Sequence, residues 1–208
     1  MTVELLYFAN PMCSWCWGFS PVVQDLATRG RDDLRITVAL GSLGRGDRPM
    51  RPQDKAFVRE HWEHVQALTG QPFDFAFFDR ERFVYDTEPA CRAVAVVRAQ
   101  RPELALPFLA ALQHAFYAEN RDITQATELR RLAEALGADG DGFSEAFEAL
   151  PARMAVTEEF AQTTRLGITG YPTLLGLAGG RAHVLSLGYH PLAEVEAALN
   201  ALLKQAGA

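Results

Sequence analysis

Cys13 and Cys16 stand two residues apart in Ala9-Asn10-Pro11-Met12-Cys13-Ser14-Trp15-Cys16-Trp17-Gly18-Phe19, directly after a short apolar run. Two thiols at this spacing can exchange a disulfide with a partner: one sulfur attacks, and the second, about one helical turn on, displaces the partner from the mixed disulfide. The same spacing can supply half of a zinc site. Zinc needs two further ligands, and only Cys91 and five histidines remain, none in a second closely spaced Cys/His pair of the usual zinc-site kind. The redox reading is therefore preferred, with no metal. A purely structural disulfide across two residues closes too small a loop to constrain the unfolded chain.

The elements around the pair set the reactivity of its sulfurs. Val3 to Phe8 reads as a buried strand, and Ser20 to Thr28 carries apolar residues at helical spacing, so the dithiol is expected at a strand-to-helix junction. Free N–H groups and the positive end of the helix dipole then favour a Cys13 thiolate. Cys13 is expected to attack and Cys16 to resolve.

The 208-residue chain is 49% hydrophobic, which is enough for a large core. Its net charge of -6, with no basic run, argues against nucleic acid and anionic membranes as partners. Met1-Thr2-Val3-Glu4 lacks a basic leader region and the next apolar run is short, so a cytoplasmic location is expected. Only three cysteines in a chain this long do not suggest a disulfide framework, and in a reducing compartment Cys13 and Cys16 are more readily reactive than structural.

Leu34 to Leu40 reads as a second buried strand, parallel to the first through the crossover helix, and Gly41 to Pro52 as a loop. The composition then turns helical. Predicted helices run from Gln53 to Thr69, Glu88 to Gln100 with Thr87 as N-cap, Glu103 to Glu119, Gln125 to Leu136 and Gly142 to Leu150. Pro151 opens another, stopped by Gly167. Thr173 to Ala178 and Arg181 to Leu187 flank Gly179-Gly180 as a two-residue hairpin, and Pro191 starts an amphipathic terminal helix through about Gln205. Strand-helix-strand, then helix-strand-strand-helix, is an α/β pattern interrupted by an all-helical insertion. The expected division is residues 1–50 with 151–208, and 51–150 as the inserted subdomain.

This order, with the dithiol at the first helix and Gly170-Tyr171-Pro172-Thr173 before the third strand, resembles the thioredoxin fold. The inserted helices resemble the DsbA-like superfamily. Pro172 matches by position the cis-proline that faces the dithiol in that fold, and Pro21 matches a proline that kinks the first helix. Cys13-Ser-Trp-Cys-Trp-Gly18 is similar to the cytosolic group of predicted protein-disulfide isomerases and their FrnE-type relatives, as are Asp86-Thr-Glu-Pro-Ala-Cys-Arg92 and Leu112 to Ile123. The resemblance implies Cys13, Cys16 and Pro172 as catalytic residues. It implies Ser14, Trp15, Trp17, Tyr171 and Thr173 as substrate contacts, with the Tyr171-Pro172 backbone pinning a substrate strand. It also implies protein or peptide disulfides as substrates, no tightly bound cofactor, and glutathione or another thiol as reductant. DsbA carries a His between its cysteines where this chain has Ser14-Trp15, so a less oxidising couple is expected, roughly -180 to -270 mV. Kappa-class glutathione transferases share the architecture with Ser in place of Cys13. A glutathione-dependent transferase or isomerase of small electrophiles is thus the alternative enzyme, and a chaperone-like binding module the non-enzymatic one.

Other residues carry less. Cys91 reads as a small core residue at a position where relatives have His. His61 and His64, three apart beside Arg59, Glu60 and Glu63, read as a solvated helix face in preference to metal ligands. The aromatic stretch Phe73, Phe75, Phe77, Phe78, Phe83 and Tyr85 reads mainly as subdomain core, with some rings available to a substrate groove. Trp15 and Trp17 flank Cys16, and one of them is expected at the surface.

Overall fold

The computed structural model describes residues 3–28, 34–44 and 46–206. Position 45 of the expected 41–52 loop lies outside the described residues, as do positions 1–2 of the leader argument and the ends of the 1–50 and 151–208 segments. Strand β1, Val3–Ala9, leads through Asn10 to Cys13 into helix α1, Ser14–Thr28, and then strand β2, Leu34–Leu40. β1 and β2 pair in parallel from Val3 opposite Leu34 to Ala9 opposite Leu40. Strand β3, Thr173–Ala178, pairs antiparallel with β1, and strand β4, Arg181–Leu187, antiparallel with β3. The sheet order is β2-β1-β3-β4. Gly179 and Gly180 both have positive φ, 57° and 73°, the geometry that a two-residue hairpin turn requires.

Between β2 and β3 lie helices α2, Pro52–Thr69, α3, Glu88–Gln100, α4, Ala105–Tyr117, α5, Ala126–Ala135, α6, Gly140–Glu148, and α7, Leu150–Arg165. Helix α8, Leu192–Ala206, follows β4 and packs on β3 and β4. The chain is thus mixed α/β with a thioredoxin-type sheet. Helices α4 and α7 contact β2, while α2 and α4 contact α1. One apolar core runs from Leu5 and Tyr7 of β1 through α1 into Trp62, Phe77, Phe108 and Phe116 of the helical block. Burying each such side chain contributes about 1.5–3 kcal/mol, which is what fixes the helices on the sheet.

Several boundaries differ from expectation for local reasons. α1 begins at Ser14, six residues before the apolar periodicity becomes visible at Ser20, so Cys16 lies inside the helix. Phe75–Asp79 forms a 3-10 helix that was not expected, capped by Asp74, whose carboxylate accepts from the Ala76 N–H. The expected Glu103 to Glu119 helix divides into a 3-10 turn, Pro102–Leu104, and α4. α6 starts at Gly140 because Asp139 accepts from the Asp141 and Gly142 N–H groups. The Thr87 side chain makes no capping bond to α3. Its hydroxyl instead accepts from Asn10, and the Asp86 carboxylate takes the Glu88 N–H.

The free edge of β2 is closed by side chains. Arg98 of α3 donates to the Val38 carbonyl at 2.5 Å, Glu159 of α7 accepts from the Leu40 N–H at 2.8 Å, and the Thr163 hydroxyl donates to the Leu40 carbonyl at 2.8 Å. Arg98 and Glu159 are themselves paired at 2.6 Å. An edge strand otherwise offers unpaired backbone groups to other chains, and here three side chains occupy them.

Candidate active site

Cys13 caps α1. Its carbonyl accepts from the Trp17 N–H at 3.0 Å, as the residue preceding a helix does, and its sulfur accepts from the Cys16 N–H at 3.3 Å. The thiol therefore takes the place that a Ser or Asp oxygen usually holds at an N-cap, against N–H groups that have no partner within the helix. Burial raises the Cys13 pKa, but hydrogen bonds from the Cys16 thiol and from the Cys16 and Trp15 N–H groups outweigh it, and the net shift is downward. Cys16 is shifted well upward, by burial first and then by its hydrogen bond and charge interaction with Cys13. Both are free thiols, with Cys13 7% exposed and Cys16 fully buried. The geometry thus yields one acidic, reachable sulfur and one protonated, sheltered sulfur.

The opposing wall is the turn before β3. The Tyr171-Pro172 peptide bond is cis, as the sequence leads one to expect, and the Cys13 thiol lies 3.5 Å from the Tyr171 carbonyl as donor. Thr173 is buried in β3, where its hydroxyl donates to the Gly170 carbonyl. Tyr171 lies over Gly41, at the end of β2: a Cβ at position 41 would come 1.9 Å from the tyrosine ring. Only glycine allows that approach.

A groove of about 610 Å3 opens from Cys13 between this turn, the loop after β2 and helix α2. Ser14, Trp15 and Tyr171 line it beside Cys13, while Trp17 turns inward. Trp17 stacks on Tyr117 at 6.3 Å and 9°, and its indole N–H donates to the Pro72 carbonyl at 3.0 Å. Trp15 is half-buried and meets the His64 ring edge-on at 5.2 Å. His61 packs against the exposed Phe57 at 4.4 Å, its ring tilted by 50°, and lines the groove. The two histidines thus serve separate aromatic contacts, and among the described residues no group of three or more His, Cys, Asp or Glu side chains could hold a metal. Of the aromatic stretch, Tyr85 reaches the groove, its hydroxyl donating to the Met12 carbonyl at 2.7 Å. Phe73, Phe77 and Phe78 surround Trp62 at 5.2, 4.9 and 4.8 Å in the core.

Cys91 is fully buried and accepts from the Asn10 side-chain amide at 3.3 Å. Burial, and then the charges of Glu159, Glu88 and Asp86, push its pKa well up. It is a thiol kept protonated in the core. Asn10 itself escaped the sequence reading, because a lone Asn before Pro reads as turn chemistry. Nor did the sequence reveal Gly41, which looks like one more loop glycine.

The sequence matches the model of the DSBA-like thioredoxin domain over residues 4–200. The chain belongs to the DsbA-like thioredoxin-domain family. Among solved structures, it is similar to the cytosolic disulfide reductase DsbM of Pseudomonas aeruginosa, at 31% identity and a TM-score of 0.79, covering 98% of this chain and 100% of that one. A Nitrosomonas europaea protein proposed to be a protein disulfide isomerase superposes with a TM-score of 0.90 at 35% identity, over 99% of both chains. A DsbM structure containing GSH matches at 30% identity with a TM-score of 0.78, over 97% of this chain and 99% of that one. The ClpXP adapter protein SpxH of Bacillus subtilis is 23% identical over 83% of this chain, which spans 57% of that relative's length. DsbA-like membership, the Cys-x-x-Cys pair and the thioredoxin sheet together make this chain a member of a thiol–disulfide oxidoreductase family. Among the described residues no helix is long and apolar enough to cross a membrane.

Proposed function

We propose that this protein reduces or rearranges disulfides of peptides or proteins, with Cys13 as nucleophile and Cys16 as resolving thiol. The observation that carries the reading is the asymmetry of the two thiols at a substrate-sized groove: Cys13 is acidified at its floor, while Cys16 is protonated and enclosed behind it. The Cys13 thiolate attacks one sulfur of the substrate, forming a mixed disulfide and releasing the other sulfur as a thiolate that takes up a proton. Cys16 then loses its proton and attacks the Cys13 sulfur, closing the Cys13–Cys16 disulfide and releasing the second substrate thiol. Two equivalents of a thiol such as glutathione return the pair to the dithiol. Pro172 has no N–H of its own, and the Tyr171 carbonyl of that turn faces Cys13, where an extended substrate backbone can pair. Ser14, Trp15 and Tyr171 supply the adjoining contacts, with Trp17 and Thr173 supporting them from behind.

Direction follows from what stabilises the thiolate. Hydrogen bonds from the Cys16 thiol and from the Cys16 and Trp15 N–H groups are what lower the Cys13 pKa. A thiolate held by hydrogen bonds makes the dithiol a better reductant than one held by a histidine or lysine charge. The cytosol is the compartment where such a couple stays reduced. That DsbM, a cytosolic disulfide reductase, shares fold and length with this chain supports the same direction.

The test is a pair of assays run side by side, reduction of a glutathionylated peptide and conjugation of glutathione to a small electrophile. Both use the wild type, Cys13→Ser and Cys16→Ser. Reduction is expected to vanish in Cys13→Ser, and Cys16→Ser is expected to accumulate peptide adducts that thiol reductant releases. Conjugation that survives Cys13→Ser while reduction is absent in the wild type would replace this reading with the transferase one.

A further inference from the structure

Asn10 is fully buried at the hinge between β1 and the dithiol, and each of its polar groups is engaged. Its side-chain carbonyl accepts from the Met12 N–H at 2.8 Å, and its backbone carbonyl accepts from the Cys13 N–H at 3.1 Å. Those two bonds fold residues 10–13 into a turn that delivers Cys13 to the start of α1. The side-chain amide points the other way. It lies 2.8 Å from the Gly41 carbonyl, 3.1 Å from the Thr87 hydroxyl and 3.3 Å from the Cys91 sulfur. The Met12 bond settles which end of the amide is oxygen, so the orientation follows from the chain itself.

The contacts form a closed circuit. From Asn10 one path runs through the turn to the Cys13 sulfur and across 3.5 Å to the Tyr171 carbonyl. The other runs through the Gly41 carbonyl to Gly41, against which the Tyr171 ring is packed with no room for a Cβ. The Gly41 N–H is in turn held by the Ala9 carbonyl at 3.0 Å. A single buried amide thus fixes both the nucleophile and the wall that faces it. A buried amide with this many matched partners is costly to disturb, because removing it leaves the Met12 N–H and the Gly41 carbonyl without their partners.

We propose that Asn10 is a positioning residue for the dithiol, setting the reactivity of Cys13 by holding its cap turn and the Tyr171 wall in one hydrogen-bonded frame. The proposal rests on the reading of Cys13 as nucleophile. It goes beyond that reading in assigning the acidity of Cys13 to a residue outside the Cys-x-x-Cys segment. Without the frame the 10–13 turn loosens, the Cys13 sulfur spends less time against the Cys16 and Trp15 N–H groups, and its thiolate loses stabilisation. The Asn10 N–H also faces Cys16 and partly offsets the upward pull on that thiol.

The test follows the rate of Cys13 alkylation against pH in reduced protein, with each labelled thiol identified by peptide mass mapping so that Cys13 is read apart from Cys16 and the buried Cys91. It needs no disulfide substrate, so it is independent of whether the proposed activity is found. Asn10→Ala is expected to move the alkylation profile toward higher pH and to slow labelling at neutral pH by about tenfold, the change that one pKa unit produces. The redox equilibrium with glutathione should move in parallel. A lowered melting temperature with superimposable alkylation profile and potential would reduce Asn10 to a packing residue and overturn the proposal. Should Asn10→Ala fail to fold, Thr87→Val removes one partner of the amide from outside the dithiol loop. A shift in the same direction supports the frame, and an unchanged profile refutes it.

Discussion

Raising the pH should unfold the reduced protein earlier than its carboxylates and lysines alone would suggest, because two of its thiols are protonated in the native state. Burial, reinforced by Cys13, holds Cys16 well above the ordinary thiol range, and burial, reinforced by nearby carboxylates, does the same for Cys91. In the unfolded chain both titrate near about 8.5. Above that pH the unfolded state binds fewer protons than the folded one, so stability falls with pH by about 1.4 kcal/mol per unit for each thiol. Together the pair gives a slope of about 2.7 kcal/mol per pH unit until the folded-state values are reached. Cys13 works in the opposite sense over a lower window: its folded pKa is depressed, so its contribution grows as pH rises from the folded to the unfolded value and is constant above it. Stability should therefore pass through a maximum just below the unfolded thiol pKa and then decline. Above about pH 10 the buried Tyr7 and Tyr117, both shifted upward by burial, steepen the decline. Urea unfolding of reduced protein, from neutral to about pH 10, measures the slope if the denaturant dependence stays constant. Oxidation to the Cys13–Cys16 disulfide removes Cys16 from the titration, and Cys91→Ala removes the other thiol, so either change should roughly halve the slope. A flat profile up to pH 10, or a slope indifferent to both changes, would show that the two thiols are not protonated as argued.

Trp62→Ala should cost about 3–5 kcal/mol in unfolding free energy, because the indole is fully buried among Phe73, Phe77, Phe78 and Tyr117. Thermal unfolding that moved by no more than a surface mutation does would count against a single core. Gly41→Ala should destabilise by about 1–3 kcal/mol and slow mixed-disulfide formation, since the added methyl must displace the Tyr171 ring; unaltered kinetics would mean that the ring does not set the wall. Glu159→Ala strips the Leu40 N–H and Arg98 of a partner at the β2 edge, for about 1–3 kcal/mol. Light scattering of that variant should also report more self-association, and a monomer of unchanged stability would dispose of the edge-closing role.

The sequence carried the frame of the fold because its strands and helices are written in local patterns: Val3 to Phe8 is a short apolar run, Leu34 to Leu40 is β-branched, and Gly179-Gly180 marks its own turn. The dithiol was legible by type and spacing, and Pro172 by the resemblance to the thioredoxin fold. What stayed hidden depends on partners distant in the chain. Ser14 to Phe19 carries no helical periodicity of its own because nearly every residue there is buried on some side, so the start of α1 is set by Cys13 as cap. Thr87 has the composition of an N-cap, yet Asn10, seventy-seven residues away in sequence, takes its hydroxyl. Trp15 and Trp17 are alike in sequence, and only the position of Tyr117 separates the groove-lining ring from the core ring. Gly41 and Glu159 likewise acquire meaning only from Tyr171 and from the β2 edge.

The groove has two walls with unequal freedom to change. Trp62 and Tyr85, beneath it, belong to the aromatic cluster that holds the helical block together, whereas Phe57, Arg48 and Gln53 at its rim are exposed. A substitution on the deep side alters the melting temperature before it alters what the groove accepts. One on the rim can alter preference alone. Divergence in what this scaffold accepts, whether by natural drift or by directed selection, is therefore channelled into the first two turns of α2 and the loop before it, while the floor stays as the sheet and helices require.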